Sequence, residues 1–350
     1  MKAGRPTLLQ RVLVIGPSNI GDAILASDVV AAVSRAFPEA HVTLAVGERA
    51  TAVFAGDPRV QSLVDLDQFG TLRGRLRLLW ALWRYRPHIV VDLRHTLYPL
   101  LLKPLSAWRY ARQPPARIAH MRERHLWKLC AQIPRMASTL QPASPASEGC
   151  EISPSALWCS AADTAKVDTL WRRWQLDPST PLVLICPGAR GHLKRWAVEG
   201  FAQVADRLIA AGRAHVMFAG EPDEEPIVHD IQGLMTQRAP SAVGLTTIRQ
   251  LGALMQRAGL VITNDSAALH CASSARVPTL ALFGPTDAVK YGPTAPISRT
   301  IRRRLFCAPC EQSLCRFNHE CMRFISADEV FDAACALLDA GRNGAAATRA

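Results

Sequence analysis

Long apolar runs are absent from this sequence of 350 residues. A membrane-spanning helix needs roughly 20 consecutive apolar residues, and the run from Val12 to Ile15 is also too short for the core of a signal peptide. We therefore expect the chain to stay in the cytosol. Its hydrophobic content of 49% and charged content of 20% are typical of a globular protein, and the length suits two domains.

Acidic residues are scarce relative to basic ones. The net charge is +12, which favours anionic partners such as a nucleotide, nucleic acid or a phosphorylated membrane surface. The stretch from Arg73 to Lys128 carries thirteen basic residues, only two acids and seven Trp or Tyr residues. A solvated basic face with partly buried aromatics would have the same composition. No nucleic-acid fold signature accompanies the stretch, so we favour an anionic acceptor at the membrane surface.

Two common nucleotide-binding signatures are missing. Gly16 and Gly21 have the glycine spacing of a P-loop, but Asp22 and Ala23 occupy the positions where that motif requires Lys and Ser or Thr. A carboxylate there would repel a triphosphate. Gly-x-Gly-x-x-Gly is also absent, which argues against a dinucleotide dehydrogenase.

Strand-length apolar runs alternate with helical spacing along the whole chain, which predicts doubly wound parallel sheets. The predicted strands are Arg11 to Ile15, His41 to Val46, Val60 to Asp65, His88 to Asp92, Leu182 to Cys186, His215 to Ala219, Leu260 to Thr263 and Thr279 to Phe283. A segment rich in Pro and Ser, 133–160, predicts a linker. We therefore expect two α/β domains, 1–160 and 161–340, and a flexible tail over 341–350.

The most informative stretch follows the strand that ends at Thr263. Asn264, Asp265 and Ser266 form a turn and N-cap cluster, and a helix rich in small residues begins at Ala267. The first free amides of such a helix point outward at the carboxyl edge of a parallel sheet, where phosphates bind. An ordinary capped helix would show the same triplet.

The sequence around this cluster resembles that of a known family. Thr263-Asn-Asp-Ser-x3-His270, Val277-Pro-Thr-Leu-Ala-Leu-Phe-Gly-Pro-Thr-Asp287 and Tyr291-Gly-Pro293 are similar to the nucleotide-binding half of glycosyltransferase family 9, the ADP-heptose:lipopolysaccharide heptosyltransferases and their relatives. The resemblance runs from Arg11 to about Leu338. It is strongest at Gly21-Asp22 and from Val261 to Met322.

The resemblance implies a GT-B fold, in which two Rossmann-like domains with parallel sheets face a cleft. It also implies an inverting, metal-independent enzyme that needs no cofactor. The N-terminal domain would bind an anionic lipopolysaccharide core acceptor, and the C-terminal domain would bind an ADP-heptose-like donor. The protein would work at the cytosolic face of the inner membrane and would not bind nucleic acid.

Glycosyl transfer needs a base for the acceptor hydroxyl. Asp22 follows Gly21 where a glycine-containing loop meets a helix, so its carboxylate is expected to face the active site. The alternative is that Asp22 only caps its helix, because aspartate is a favoured cap. The resemblance favours the base, since family members carry Gly-Asp at this loop and use that aspartate for proton removal.

The departing diphosphate needs cations or amides. Lys194 and Arg195 follow a Pro-Gly-Ala loop at a predicted strand end and match a Lys-x-Trp-type element of the family. On the other side of the diphosphate we expect Asp265, Ser266 and the amides of Ala267 and Ala268. Either Glu224 or Glu225 is expected to accept hydrogen bonds from the ribose, although a solvated acidic turn would have the same sequence. His270, one helical turn beyond Ser266, is expected to support the site.

Four of the ten cysteines cluster as Cys307-x2-Cys310-x4-Cys315-x5-Cys321. In a cytosolic chain such a cluster predicts reduced thiols or a structural metal, not disulfides. A zinc ribbon would normally repeat the Cys-x2-Cys unit, so both interpretations stay open. The pair Asp65 and Asp67 also has the spacing of a metal-binding Asp-x-Asp motif, but a metal role there is the weaker interpretation.

Two other functions remain compatible with the sequence. A GT-B nucleotide-sugar epimerase would need neither a membrane acceptor nor a basic face on the acceptor side. A catalytically idle homologue would bind nucleotide as a scaffold.

Overall fold

A computed structural model describes residues 10–134, 136, 157–177 and 179–347. The chain divides into two compact units, Met1–Ser155 and Ala156–Ala350. Most of the predicted linker at 133–160 falls on positions outside the described residues, and the domain boundary at 160 stays a prediction. In the part of the chain that the structure describes, no helix is both long and apolar enough to span a membrane.

The first unit is a four-stranded parallel sheet with helices, and its strand order is β3-β2-β1-β4. Val12 to Ile15 are completely buried, as expected for a strand covered on both faces. The elements are β1 (Arg11–Ile15), α1 (Ile20–Ala36), β2 (His41–Val46), α2 (Glu48–Phe54), β3 (Ser62–Asp65), α3 (Leu72–Tyr85), β4 (Ile89–Asp92), α4 (Tyr98–Leu102) and α5 (Met121–Gln132), with 3-10 helices at Asp67–Phe69 and Pro104–Arg109.

The second unit is a five-stranded parallel sheet with strand order β6-β5-β7-β8-β9. Its strands are β5 (Leu182–Cys186), β6 (His215–Phe218), β7 (Leu260–Asn264), β8 (Thr279–Phe283) and β9 (Ser298–Arg302). Its helices are α6 (Ala161–Trp174), α7 (Val198–Ala210), α8 (Glu225–Leu234), α9 (Ile248–Met255), α10 (Ala267–Ser274), α11 (Ala288–Tyr291), α12 (Glu320–Arg323) and α13 (Ala327–Ala347), with 3-10 helices at His192–Lys194 and Pro222–Glu224.

Two features differ from the sequence prediction. Strand β9 was not predicted, because it is a polar edge strand in which only Ile301 is buried. Helix α13 continues to Ala347, through most of the segment predicted as a flexible tail over 341–350. That segment contains no proline to stop a helix, and its alanines at 345–347 favour helix strongly enough to offset Gly341 and Gly344.

Both sheets contain one point at which the strand order reverses. In the first unit the chain moves from β1 outward to β3 and then returns to place β4 on the other side of β1. In the second unit β6 and β7 lie on opposite sides of β5 in the same way. Ligands of open α/β sheets bind at such switch points, beyond the carboxyl ends of the strands. The loops after β1 and β4, and those after β5 and β7, are therefore the places to look for a site.

Candidate functional site

One buried side chain ties together the loop that follows β5. Asn264, at the end of β7, donates from Nδ2 to the carbonyl oxygen of Pro187 at 2.6 Å and accepts from the backbone N–H of Trp196 at Oδ1, at 3.1 Å. Pro187 and Trp196 are the two ends of the loop, so a single amide holds both of them. This loop lies at the switch point because β5 pairs directly with β7.

The same loop carries Lys194 into contact with Asp265. Lys194 Nζ lies 2.6 Å from Asp265 Oδ2, and the lysine side chain is 34% exposed whereas the aspartate side chain is only 6% exposed. An ammonium has three donors, so Lys194 keeps hydrogen-bonding capacity while Asp265 holds its position. The structure thus gives Asp265 a positioning contact with the lysine.

Arg195 lies behind the same loop, and its Nε donates to the carbonyl oxygen of Ala189 at 2.8 Å. Burial raises the pKa of the Glu224 carboxyl group. The backbone N–H of Glu221, which donates to this carboxylate, and the positive charge of Arg195 both act in the opposite direction, but more weakly. Both Glu224 and Arg195 are half-buried.

Two glycines make room for the Glu224 carboxylate at the ends of β5 and β6. A Cβ atom at Gly188 would lie 1.8 Å from Glu224 Oε1, and one at Gly220 would lie 2.2 Å from Oε2. Glu225 is exposed at the start of α8. Of the two acids proposed for ribose binding, Glu224 is therefore the one at the strand ends.

Helix α10 begins as the sequence predicts. Ser266 is its N-cap and accepts from the backbone N–H of Ala268 at 3.3 Å, so this amide is already engaged inside the cap. Ser266 and Ala267 are half-buried, and His270 is buried within the helix. The predicted phosphate contacts at this cap stay a prediction, with Ser266 and the Ala267 amide at its outer side.

Asp22 does not cap helix α1, so that alternative is wrong. The helix begins at Ile20, and the N-cap position belongs to Asn19. Asp22 is the third helical residue, where a carboxylate is stabilised by the helix dipole. It is half-buried, and Asn19 Nδ2 lies 3.3 Å from its Oδ2. Gly21, which the sequence pattern placed in the loop before the helix, is the second residue of the helix.

The loop after β4 lies beside the loop that leads to Asp22, because β4 pairs with β1 and Asp92 stands opposite Ile15. No sequence motif pointed to this loop. The buried Asp92 carboxylate accepts from the backbone N–H groups of Arg94, at 2.9 Å, and Thr96, at 2.6 Å. It fixes Arg94 and His95 as exposed residues, with His95 in the left-handed region at φ 57°. One cationic side chain, Arg94, and one imidazole, His95, whose pKa is lowered by partial burial and then by the charge of Lys128, are thus placed at this switch point.

The four clustered cysteines all line one cavity of about 240 Å³ in the second unit, together with apolar residues such as Leu193 and Leu305. Cys315 is exposed, whereas Cys321 is buried and its pKa is raised by burial and then by its cysteine neighbours. Among the described residues, no three His, Cys, Asp or Glu side chains are placed to hold a metal ion. The residues as arranged do not fit a tetrathiolate metal site.

Asp65 and Asp67 each accept a hydrogen bond from the backbone. Asp65 Oδ1 accepts from the backbone N–H of Asp67 at 2.9 Å, and Asp67 Oδ2 accepts from that of Glu48 at 2.9 Å, at the start of α2. Both carboxylates therefore stabilise turns at strand ends.

The chain is similar in sequence to known proteins. Residues 151–320 match the model of glycosyltransferase family 9 (heptosyltransferase). The lipopolysaccharide heptosyltransferase 3 of Escherichia coli is 26% identical over 301 residues, which cover 78% of this chain and 83% of that relative.

Two solved structures share the fold. A glycosyltransferase family 9 protein from Veillonella parvula matches with a TM-score of 0.74 and 21% identity over 94% of this chain and 97% of its own. The ADP-heptose lipopolysaccharide heptosyltransferase II of E. coli matches with a TM-score of 0.70 and 20% identity over 94% and 98%. At these identities the likeness shows the fold, which is of the GT-B class, as the resemblance implied.

Proposed function

We propose that this chain is a glycosyltransferase of family 9 and that it moves a heptose or similar sugar from an ADP-linked donor to a lipopolysaccharide core acceptor, with inversion and without a catalytic metal. The observation that carries this proposal is the Lys194–Asp265 pair, which lies at the switch point of the family-matched unit.

Lys194 would neutralise the donor diphosphate. Its ammonium is already oriented by Asp265, so little conformational freedom is lost when an anion binds. Charge on the leaving diphosphate increases in the transition state, and a fixed cation stabilises that charge more than it stabilises the bound donor. Ser266 and the Ala267 amide would contact the same diphosphate. The half-buried Glu224 carboxylate would accept from the ribose hydroxyls.

Asp22 would act as the general base. It is a half-buried carboxylate in the first turn of α1, directly after the β1 loop, and it is not the N-cap residue of that helix. It would take the proton from the attacking acceptor hydroxyl as the new glycosidic bond forms and the bond to the diphosphate breaks. Arg94 and His95 on the neighbouring loop would contact anionic groups of the acceptor.

The test is a transfer assay with purified protein, ADP-heptose and detergent-dispersed core lipid, with and without a chelator. We expect mass spectrometry to find an acceptor heavier by one heptose residue and free ADP, in equal amounts and unaffected by the chelator. An altered sugar nucleotide formed without acceptor would point to an epimerase. Tight nucleotide binding without any product, across a panel of nucleotide sugars, would point to an idle homologue.

A further inference from the structure

Helix α3 has two apolar faces, although packing on the sheet requires only one. Leu78 and Leu82 are buried against core residues of β1 and β4. Leu72, Leu76, Trp80 and Trp83 recur at intervals of four, four and three residues and so lie on one stripe of the helix. These four side chains are 76%, 59%, 59% and 60% exposed. A solvated surface helix normally carries polar residues on its outer face. The apolar stripe therefore indicates that this face binds a partner.

The segment beside α3 exposes further large apolar side chains. Helix α4 contacts α3. The exposed large apolar residues at the N-cap of α4, on α4 itself and on the following 3-10 helix are Leu97, Leu100, Leu101, Leu105 and Trp108. Leu105 is almost entirely solvent-exposed, at 99%. Contiguous apolar surface of this kind on a soluble unit marks an interaction site. We call the stripe of α3 and these five residues the α3–α4 face.

Charge identifies the partner. Between Leu72 and Arg109 there are eight basic residues and a single acid, Asp92, which is buried. The Arg84 guanidinium lies 4.8 Å from the Trp80 ring centre, and that of Arg109 lies 5.3 Å from the Trp108 ring centre. Exposed Trp and Leu among arginines are typical of helices that lie in the interface of an anionic bilayer. A second copy would bring the same positive charge to the contact and repel it.

We propose that the α3–α4 face inserts into the surface of an anionic bilayer, with Trp80 and Trp83 as its anchors. The inference rests on the proposed function at one point only, the identification of this bilayer as the one that carries the lipid acceptor. Attachment then has two parts: arginine attraction, which salt screens, and burial of Trp and Leu, which salt does not weaken.

The experiment measures co-sedimentation with phosphatidylcholine vesicles, with and without phosphatidylglycerol, at about 0.1 M and about 1 M salt, between which the screening length falls from about 10 to about 3 Å. We expect binding to anionic vesicles that decreases but persists at the higher salt, with a blue shift of tryptophan emission. Trp80→Gln with Trp83→Gln should weaken binding at least about tenfold and abolish the salt-resistant part, since burial of one large apolar side chain is worth a factor of about ten or more.

Two control variants separate the contributions. Arg73→Gln with Arg77→Gln should remove mainly the salt-sensitive part. Leu234→Gln with Phe324→Gln, which alters exposed apolar residues of the second unit, should leave vesicle binding unchanged. Melting temperatures should stay near that of the wild type, because all substituted side chains are exposed.

Undiminished vesicle binding by the Trp80→Gln/Trp83→Gln protein would overturn the proposal. An equal loss in the Leu234→Gln/Phe324→Gln control would overturn it as well. A dimer that dissociates in the tryptophan variant, without any vesicle binding, would show that a second copy covers the face. Transfer to detergent-dispersed acceptor should survive in the tryptophan variant. If the wild type itself shows no transfer there, the proposed function fails while the vesicle result stands independently.

Discussion

The two switch points of this protein are organised in opposite ways. In the second unit the loops at the site bind each other: Asn264 holds both ends of the β5 loop, Asp265 holds Lys194, and the Trp196 indole N–H donates to the carbonyl oxygen of Ile325 at 3.1 Å. In the first unit the loop is held by a helix and not by another loop: Lys128 of α5 donates to the carbonyl oxygen of Leu93, just after β4, at 2.7 Å.

The difference is consistent with the proposed binding of the donor to the second unit and of the acceptor to the first. A nucleotide diphosphate has one charge pattern, and a preorganised set of groups binds it with little cost in lost freedom. The exposed loops of the first unit, where the acceptor is proposed to bind, can vary in sequence without disturbing the groups behind them. The first unit is accordingly also the one with the large exposed apolar face.

The largest effect should come from Asp22→Asn. Asparagine keeps the size of the side chain but cannot take a proton, so turnover should fall by about 10² to 10⁴, the usual contribution of a positioned general base. Donor affinity should be nearly retained, because the donor groups belong to the other unit. Turnover and equilibrium binding of ADP are the two measurements.

Asp67→Asn is the matched control for this variant, because Asp67 is also a carboxylate at a strand end of the first unit, where it accepts from the start of α2. It should keep normal turnover. A folded Asp22→Asn protein with nearly normal transfer would remove the base from the mechanism and leave the two switch points without a division of labour.

Lys194→Ala should act on the second unit in the complementary way. Loss of one hydrogen bond between charged groups is worth about 1.5 to 3 kcal/mol, so ADP affinity should fall by about 10- to 100-fold, and turnover should fall with it. Calorimetric titration with ADP measures the first effect and single-turnover transfer the second.

Two further variants isolate the cause. Lys194→Ala leaves the Asp265 carboxylate buried without its cation, and Lys194→Ala combined with Asp265→Asn removes that penalty. The double variant should therefore recover stability without recovering ADP affinity. Arg213→Ala removes an ion pair with Asp339 at the amino edge of the same sheet and should leave ADP affinity unchanged. If it weakened ADP binding as much as Lys194→Ala, the effect would be one of overall charge.

Acid should destabilise the first unit selectively. His125 of α5 is buried, and its pKa is lowered to about 3 from an ordinary value of 6.5, mainly by burial and then by the charge of Lys128. The unfolded state therefore binds a proton below pH 6.5 that the folded state binds only near pH 3. Stability contributed by the neutral imidazole is full above pH 6.5 and is lost as pH falls, by up to about 1.4 kcal/mol per pH unit.

The second unit has the opposite sensitivity at Glu224, whose pKa is raised by burial. A raised carboxyl pKa favours the folded state at low pH and loses that contribution as pH increases. After correction for the intrinsic slowing of exchange at lower pH, amide exchange should therefore accelerate between pH 7 and pH 5 in β4 and α5 but not in β5 and β6. His125→Gln should abolish the acceleration. Equal acceleration in both units would contradict this comparison.

The smallest effect concerns the thiols, which should differ in reactivity but hold no metal. Cys315 is exposed and should react first with iodoacetamide, whereas the buried Cys271, with its pKa raised beyond the ordinary range by burial, should react last. Metal analysis should find well under one ion per chain, and Cys307→Ser with Cys310→Ser should not change the melting temperature. One tightly held ion per chain, lost in that variant, would reinstate the structural metal.

The sequence predicted buried strands well and the contacts between loops poorly. Leu182–Cys186 and Thr279–Phe283 have the predicted bounds because uniformly apolar runs of that length have few other uses. Lys194, Glu224 and Asp265 were selected because they follow strands. The pairing of Lys194 with Asp265 could not be predicted from the residues alone, since it depends on β7 returning to the side of β5 that β6 leaves open.

The outer face of α3 shows a second limit. Leu72, Leu76, Trp80 and Trp83 have a visible helical spacing, but so do the residues of the inner face that include Leu78 and Leu82. Spacing identifies apolar stripes without telling which one meets the sheet. The alternative of a solvated face with partly buried aromatics therefore stayed open on the sequence alone, whereas Trp80, Trp83 and Trp108 are all exposed.

The Asn264 clamp has a consequence for recombination between relatives. A crossover placed between Trp196 and Asn264 would combine a β5 loop from one parent with a clamp from another, and any difference in loop length would leave buried polar groups unsatisfied. A crossover near Ser155 separates the two compact units and keeps every one of these contacts within one parent. Chimeras that exchange whole units should therefore fold far more often than chimeras that exchange part of the second unit.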